Sequence, residues 1–173
     1  LLDKFLQNSY VKQSPEAKVP IVKPFKIITK LGGAANLVNN INTINKKCFI
    51  VSRIGTQEND NEVINLIKSK KIKYKFFKQK NFSVGKKSRF YIDNKQILRV
   101  DDEKIVKLAK ITERNILNYI KKNQKKFSIL VISDYNKGVI SKNLYNNIVQ
   151  LFLKDKKMII TNPKKKELNL LCG

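Results

Sequence analysis

The sequence predicts an α/β domain with a mainly parallel sheet. Apolar runs typical of buried strands alternate with segments whose apolar residues recur at helical spacing. Near the middle of the chain, two short alternating segments around a polar turn predict an antiparallel hairpin. Apolar residues make up 42% of the 173 residues, which is typical of a globular chain with a core.

The strands and helices follow one another in a regular order. Strands are predicted over 25–29, 48–55, 72–77, 127–133 and 158–161, and helices over 34–44, 59–70, about 112–122 and from a capping Ser141 onward. In the last helix the inward stripe is predicted to be Leu144, Ile148, Leu151 and Phe152. The first three strands and the two helices between them make a β-α-β-α-β run, which favours a parallel sheet.

The hairpin is predicted over 89–102, with an Asn-Lys turn at Asn94 and Lys95. A second extended segment lies over 17–23, where Pro20 and Pro24 suit an edge strand. These pieces predict a small antiparallel layer apart from the main sheet.

Charge and composition narrow the classes of function. The formal charge is +24, from 37 basic and 13 acidic residues, which raises nucleic-acid binding as one interpretation. A solvated lysine-rich surface is the other, and the scatter of the lysines and the absence of tryptophan favour it. The sequence has no histidine, so a histidine-based triad or zinc site is excluded.

The two cysteines, Cys48 and Cys172, lack the spacing of a metal site, and Cys48 in an apolar run is expected to be a buried, reduced thiol. No apolar run reaches membrane-spanning length, and the start "LLDKF" has no signal-peptide core. We therefore expect a cytoplasmic protein with no metal site in this chain.

Polar or glycine positions follow four predicted strands. In doubly wound sheets, ligands bind outside the carboxyl ends of the strands. Asp3 follows the apolar pair at 1–2, which is read as the end of a first strand. The pair Gly32 and Gly33 follows 25–31, Asp134 follows 129–133, and Asn162 follows 158–161. They predict a ligand-binding site at the edge of the sheet where the strands end.

The pair Gly32 and Gly33 precedes an amphipathic helix, with Asn36 in its first turn. Glycines allow close backbone approach, and helix-start N–H groups favour anionic or oxygen-rich ligands. A tight turn with no ligand explains the same residues equally well. Both interpretations stay open.

Two further segments carry candidate ligand contacts. In "SDYNKG" (133–138), Asp134 and Lys137 suit a polyhydroxyl or phosphate ligand, although a turn with positive φ at Gly138 would also use this pattern. In 87–103, Lys87, Arg89 and Arg99 can reach an anion, while Arg99 and Asp101 could equally form a surface ion pair.

Five segments together resemble the PfkB-type, ribokinase-like carbohydrate kinases. They are "SPEAKVPIVK" (14–23), "LGGAANLVNNI" (31–41), "KSRFYIDNKQILRVDDE" (87–103), "SDYNKG" (133–138) and "NPKK" (162–165). The resemblance is strongest to the kinase domains of the bifunctional heptose-7-phosphate kinase and heptose-1-phosphate adenylyltransferase family. It implies a three-layer α/β sandwich with a small β lid, formed here by about 14–30 and 84–103, through which such kinases form homodimers.

The resemblance also implies ATP- and Mg²⁺-dependent phosphorylation of heptose 7-phosphate at its anomeric hydroxyl, within ADP-heptose and lipopolysaccharide core biosynthesis. Substrate binding is carried over to Asp3, Gly32, Gly33, Asn36, Lys87, Arg89, Asp134 and Lys137. Nucleotide binding is carried over to Asn162 and Lys164, with Asn162 standing where the heptose kinases usually have aspartate.

In this family the glycine-rich anion hole and its catalytic aspartate lie in the C-terminal half, beyond the segment that "NPKK" (162–165) matches. We therefore expect a partial kinase domain over 1–173, truncated at both ends, with no catalytic residue and no activity of its own. The alternatives are another PfkB-type sugar or nucleoside kinase, a basic nucleic-acid-binding module, and a non-catalytic dimerisation fragment.

Overall fold

The computed structural model describes residues 1–44 and 47–163. The strands are β1 (Leu2–Gln13), β2 (Pro20–Leu31), β3 (Phe49–Ile54), β4 (Lys73–Lys78), β5 (Lys86–Ile92), β6 (Lys95–Asp102), β7 (Ile129–Asp134) and β8 (Met158–Pro163). The helices are α1 (Ala34–Ile44), α2 (Glu58–Ser69), α3 (Lys110–Asn123), followed by a 3-10 turn, and α4 (Lys142–Lys154). All four predicted helices are thereby confirmed.

A four-stranded sheet has the order β2-β1-β5-β6, with β1 and β5 parallel and both outer pairs antiparallel. The strand β2 lies at its edge, where Pro20 and Pro24 need no ladder partner on the open side, as expected. The sheet contains parts of both predicted lid segments and adds β1, of which only an end just before Asp3 was expected.

The course of β1 corrects the expectation for Asp3. The sequence suggests that a first strand ends just before Asp3, but Asp3 is the second residue of a twelve-residue strand. Polar residues on both faces of β1 conceal the strand, which is stabilised by hydrogen bonds to β2 on one side and β5 on the other. Asp3 therefore lies at the beginning of a strand rather than at its carboxyl end.

The hairpin of β5 and β6 is present, but its turn is one residue earlier than expected. Asp93 and Asn94 are the central residues, with φ of 47° and 66°. Both residue types tolerate the left-handed region that a tight hairpin turn requires, whereas lysine at the second position would be less suitable.

The remaining strands form two parallel pairs, β3 with β4 and β7 with β8. Among the described residues, three of the five strand pairings are therefore parallel, as the fold class predicted. The predicted β-α-β-α-β run is present in chain order. Its first strand, however, is β2, which pairs antiparallel with β1 instead of joining β3.

Helices cover both faces of β3. Ile50 packs in a core that α1 and α2 share with the base of the four-stranded sheet, while the next residue, Val51, packs against α3 and α4. The first core consists of Leu2, Leu31, Ala35, Ile50, Ile54, Val63, Ile67 and Ile72. The second consists of Ile116, Leu144, Ile148 and Phe152, with Leu151 partly buried against it. The result is a three-layer α/β arrangement.

One buried carboxylate joins three segments around the end of β3. Asp60 is fully buried in the first turn of α2, and it accepts hydrogen bonds from the backbone N–H groups of Gly55, Gln57 and Val84 at 2.8, 3.0 and 3.1 Å. It thereby holds the β3–α2 turn against the chain that leads into β5. In the described part of the chain, no helix has the length and apolar character needed to cross a membrane.

Candidate functional site

The turn between β2 and α1 uses its two glycines in different ways. Gly33 has φ of +56°, a left-handed conformation that glycine adopts without strain. Gly32 is buried, and a Cβ atom added there would lie 2.4 Å from Oδ2 of Asp3. The glycines therefore serve both as a turn and as a surface against which the Asp3 carboxylate stands, close to the start of α1.

Asp3 pairs with Arg89 across β1 and β5. Oδ1 of Asp3 lies 2.7 Å from Nη1 of Arg89, and both side chains are about one-fifth exposed, at 22% and 20%. The Arg89 guanidinium also lies 5.2 Å from the centre of the Phe5 ring. A guanidinium has five N–H donors, so Arg89 can bind an anion while it keeps Asp3 as a partner.

Lys87 is the second cation on this face of the sheet. Asp3, Lys87 and Asp101 are register partners across β1, β5 and β6, so their side chains share one face. Nζ of Lys87 lies 2.7 Å from Oδ2 of Asp101 and 3.5 Å from Oε1 of Glu103. Nζ of Lys137 contacts the same Glu103 oxygen. We call these residues the charged cluster: Asp3, Lys87, Arg89, Asp101, Glu103 and Lys137.

Basic side chains in and beside the charged cluster lower the pKa of two of its carboxyl groups, Asp101 and Glu103. Hydrogen bonds from Arg99 and then Lys87 hold the pKa of Asp101 well below its usual range. Burial by itself would raise the pKa of Glu103, but the hydrogen bond and charge of Lys137, together with Lys87, lower it below its ordinary value. At neutral pH the cluster therefore contains ionised carboxylates paired with cations.

Arg99 belongs to the edge of this arrangement. It forms two hydrogen bonds with Asp101, from Nε at 2.7 Å and from Nη2 at 2.6 Å. Of the two interpretations left open for Arg99, the surface ion pair is the one present, and it leaves Lys87 and Arg89 as the inner cations of the sheet.

A cavity of about 750 Å³ adjoins the charged cluster. Strands β3 and β7 and helix α1 supply much of its apolar lining, and its polar lining includes Glu103, Asp134 and Lys137. This volume lies within the range of small-molecule sites. Of the charged cluster, Glu103 and Lys137 line this cavity.

The "SDYNKG" segment is a turn that also delivers a side chain to the site. Oδ1 of Asp134 accepts a hydrogen bond from the N–H of Asn136 at 2.8 Å, and Gly138 has φ of +73°. Lys137 extends from this turn to Glu103, more than thirty positions earlier in the chain. Asp134 lines the cavity, while its Oδ1 atom holds Asn136 within the turn.

The other expected residues lie apart from the charged cluster. Asn36 is exposed in α1, and its backbone N–H donates to the Gly33 carbonyl at 3.0 Å. Asn162 is exposed in β8 as the register partner of Ser133. Lys164 and Cys172 lie outside the described residues, while Cys48 is half-buried rather than fully buried, and burial raises the pKa of its thiol.

Sequence reasoning assigned no role to Glu103 or Arg53. The acidic run 101–103 was a signal for Glu103, but only the register of β5 and β6 shows which carboxylate lies between two lysines. Arg53 interrupts the apolar run 48–55, which is a signal of a specific contact without indicating its partner.

The described residues offer no metal centre. Within 1–44 and 47–163, no three histidine, cysteine, aspartate or glutamate side chains are grouped so as to hold a metal ion. The carboxylates of the charged cluster are instead matched by lysine and arginine. These residues do not fit Mg²⁺.

Comparison with known proteins gives a consistent result. No protein-family model matches the chain. The bifunctional protein HldE of Aliarcobacter butzleri is 33% identical over 174 residues, which covers 100% of this chain and 37% of that protein. The chain thus spans little more than a third of the length of the curated relatives it matches.

Solved structures share the fold at low identity. The tetrameric inhibited form of phosphofructokinase-2 from Escherichia coli matches with a TM-score of 0.66 at 13% identity, covering 98% of this chain and 54% of that one. Ribokinase from Giardia lamblia matches with a TM-score of 0.65 at 11% identity, covering 96% and 53%.

The three-layer fold and these likenesses define the class: the chain has the ribokinase-like fold and resembles the PfkB-type sugar kinases. Within that class it is similar along its whole length to part of the HldE proteins. The resemblance inferred from the sequence motifs is therefore confirmed.

Proposed function

We propose that this chain forms the sugar-phosphate-binding part of a cytoplasmic kinase that phosphorylates heptose 7-phosphate at its anomeric hydroxyl, for ADP-heptose and lipopolysaccharide core synthesis. The observation that carries the proposal is the charged cluster beside the Gly32 turn, where Lys87 and Lys137 share Glu103 and Arg89 holds Asp3. Cations with adjoining carboxylates suit a ligand that has both a phosphate and several hydroxyls.

The roles follow from the chemistry of each group. Lys87, Arg89 and Lys137 can bind the phosphate, since each is a permanent donor near neutral pH. Asp3 can accept hydrogen bonds from sugar hydroxyls, and the lack of a side chain at Gly32 lets the Asp3 carboxylate stand against the backbone there. Asn36, exposed in the first turn of α1, is a further proposed contact for sugar hydroxyls. Asp134 is assigned to the substrate because it lines the adjoining cavity.

ATP with Mg²⁺ is the proposed phosphoryl donor of the kinase, and Asn162 and Lys164 are the proposed nucleotide contacts of this chain. The described residues do not fit Mg²⁺, so none of them is proposed to hold the metal. Accordingly, the 173-residue chain should bind sugar phosphate without transferring a phosphoryl group.

The test compares how sugar-phosphate binding changes when each of two adjacent lysines, which lie on opposite faces of β5, is replaced by methionine. Titration calorimetry of the whole chain with heptose 7-phosphate should show affinity that falls about tenfold or more in Lys87→Met, because a charge-assisted contact is lost. In Lys86→Met the affinity should stay within about twofold of the wild type, since Lys86 lies on the other face of the sheet. There its Nζ atom lies 4.0 Å from Oδ2 of Asp102, a weak surface ion pair. The same samples should show no ATP turnover above a control without protein.

Equal losses in both variants would contradict the proposed site and indicate attraction by net charge. Fructose 6-phosphate, a nucleoside and inorganic phosphate serve as competing ligands, and a preference for one of the first two would favour a different PfkB-type substrate. Tight DNA binding that falls steeply with salt would instead support the nucleic-acid interpretation.

The kinase is also proposed to be a homodimer through the four-stranded sheet. On the face opposite the charged cluster, Ile27, Leu6, Phe90 and Leu98 form one row across all four strands. Ile27 and Leu98 at the ends of the row are 56% and 52% exposed. An exposed apolar row of this kind is typical of an interaction surface.

A further inference from the structure

Arg53 is a buried cation at the end of β3, with 2% of its surface exposed. Its guanidinium donates three hydrogen bonds to backbone carbonyls: Nη1 to Lys107 at 3.0 Å, and Nη2 to Val106 at 2.5 Å and to Lys137 at 2.9 Å. The guanidinium carbon lies 3.9 Å from the centre of the Phe82 ring. One side chain thus links three segments that are distant in sequence.

This arrangement is costly for stability. Among the described residues, none of the ion pairs includes Arg53, so carbonyl dipoles and one aromatic face balance its charge. Burial of a charge without a counter-ion is unfavourable. Consistently, burial lowers the pKa of Arg53 to about 10. An apolar side chain of similar size would fill this buried space without the cost of a buried charge. What arginine adds is the set of hydrogen bonds to the two loops.

Both loops held by Arg53 lead to the charged cluster. The first, 106–107, follows Glu103 closely, and the second contains Lys137 itself. A Cβ atom added at Gly138 would lie 2.3 Å from the Val106 carbonyl oxygen, so the two loops touch beside the guanidinium. Gln79 supports the first loop by donating to the Lys107 carbonyl at 3.1 Å.

We propose that Arg53 is a positioning residue for sugar-phosphate binding: it fixes the backbone of Lys137 against the 106–107 loop, so that the Lys137 ammonium stands at Glu103. Arg53 lies beneath the site and acts through Lys137. This inference rests on the proposed function.

The first measurement is hydrogen exchange of the whole chain. In Arg53→Met, we expect amide exchange in the segments 104–108 and 134–139 to accelerate about tenfold or more, while α2 exchanges as in the wild type. Arg53→Lys keeps the charge but lacks the planar fork, so it should show the same pattern. Arg114→Met, an exposed arginine of α3, is the matched control and should change neither segment.

The second measurement is a double-mutant cycle on binding of heptose 7-phosphate. Arg53→Met should weaken binding about tenfold in the wild-type background and not at all in Lys137→Met, because Arg53 acts through Lys137. Equal losses in both backgrounds, or unchanged exchange in the two segments, would overturn the inference.

The two proposals can fail separately. If the wild-type chain binds no sugar phosphate, the proposed function fails, yet the exchange pattern still shows whether Arg53 holds the two loops. If Arg53→Met does not fold, Arg53→Lys decides both measurements. Normal exchange in that variant would overturn the inference.

Discussion

At the residue scale, Glu103 shows how position decides the role of a charged side chain. Its Oε1 atom faces the ammonium groups of both Lys87 and Lys137, and its side chain is only 17% exposed. The adjacent Asp102 is 68% exposed and lies 4.0 Å from Lys86. The two neighbouring carboxylates differ in exposure because successive side chains point to opposite faces of the sheet. Asp102 ends β6 on one face, and Glu103, the next residue, turns toward the charged cluster on the other.

The lowered pKa of Glu103 predicts a dependence of stability on pH. Because the folded-state pKa lies below the unfolded value, near 4.5, ionised Glu103 contributes its full stabilisation above that value and loses it as the pH falls toward the folded pKa. We expect the free energy of unfolding, measured with urea between pH 7 and pH 3, to fall less steeply in Glu103→Gln than in the wild type.

Two lysine variants test the cause of this shift. Lys137→Met removes a cation that lowers the pKa of Glu103, so it should also flatten the pH dependence. Lys86→Met lies on the opposite face of the sheet and should keep the wild-type slope. A wild-type slope in Glu103→Gln would show that other carboxylates produce the effect.

At the scale of elements, α4 begins as its sequence predicts. Oγ of Ser141 accepts a hydrogen bond from the N–H of Leu144 at 3.0 Å and donates to Oε2 of Glu113 at 2.8 Å, so that one hydroxyl caps α4 and links it to α3. We expect Ser141→Ala to lower the free energy of unfolding in urea by about 1 kcal/mol or more.

A second serine provides the comparison for this cap. Ser69, near the end of α2, donates to the Leu66 carbonyl at 2.9 Å and caps no free N–H group. Ser69→Ala should therefore change the stability by less than about 0.5 kcal/mol. Equal effects of the two substitutions would mean that the Ser141 cap adds nothing beyond loss of a hydroxyl.

The elements differ in how well the sequence predicts them, for physical reasons. The helix α4 combines a capping serine with an apolar stripe, and both signals are local. The strand β1 has no such signal, because its stability comes from two neighbouring strands, one of which lies more than eighty residues away. The misplacement of Asp3 follows from this, since its surroundings depend on β1.

The candidate site shows the same limit. Lys87, Arg89 and Lys137 were expected from their residue types in polar segments near strands, and the structure brings all three to one face. Arg53 could not be assigned, because its partners are carbonyls that any sequence has, at positions set by the fold.

At the scale of the whole molecule, the four-stranded sheet has two faces of opposite character. One carries the charged cluster, and the other carries the apolar row that ends in Ile27 and Leu98. In a sheet, successive side chains alternate between faces, so a single set of strands can bind a polar ligand and present an apolar interface. Dimerisation through this sheet would therefore leave the proposed site open.

A charge placed in the apolar row tests the interface. If two copies associate through this face, Leu98→Asp would bury a carboxylate without a partner, and the dimer dissociation constant should rise about tenfold or more in sedimentation velocity. Ile111→Asp is the matched control, because Ile111 is similarly exposed, at 53%, but lies on α3. Heptose 7-phosphate affinity should be unchanged in the Leu98→Asp monomer, since the site is on the other face. A wild-type chain that is monomeric at high concentration would exclude this face as a self-sufficient dimer contact.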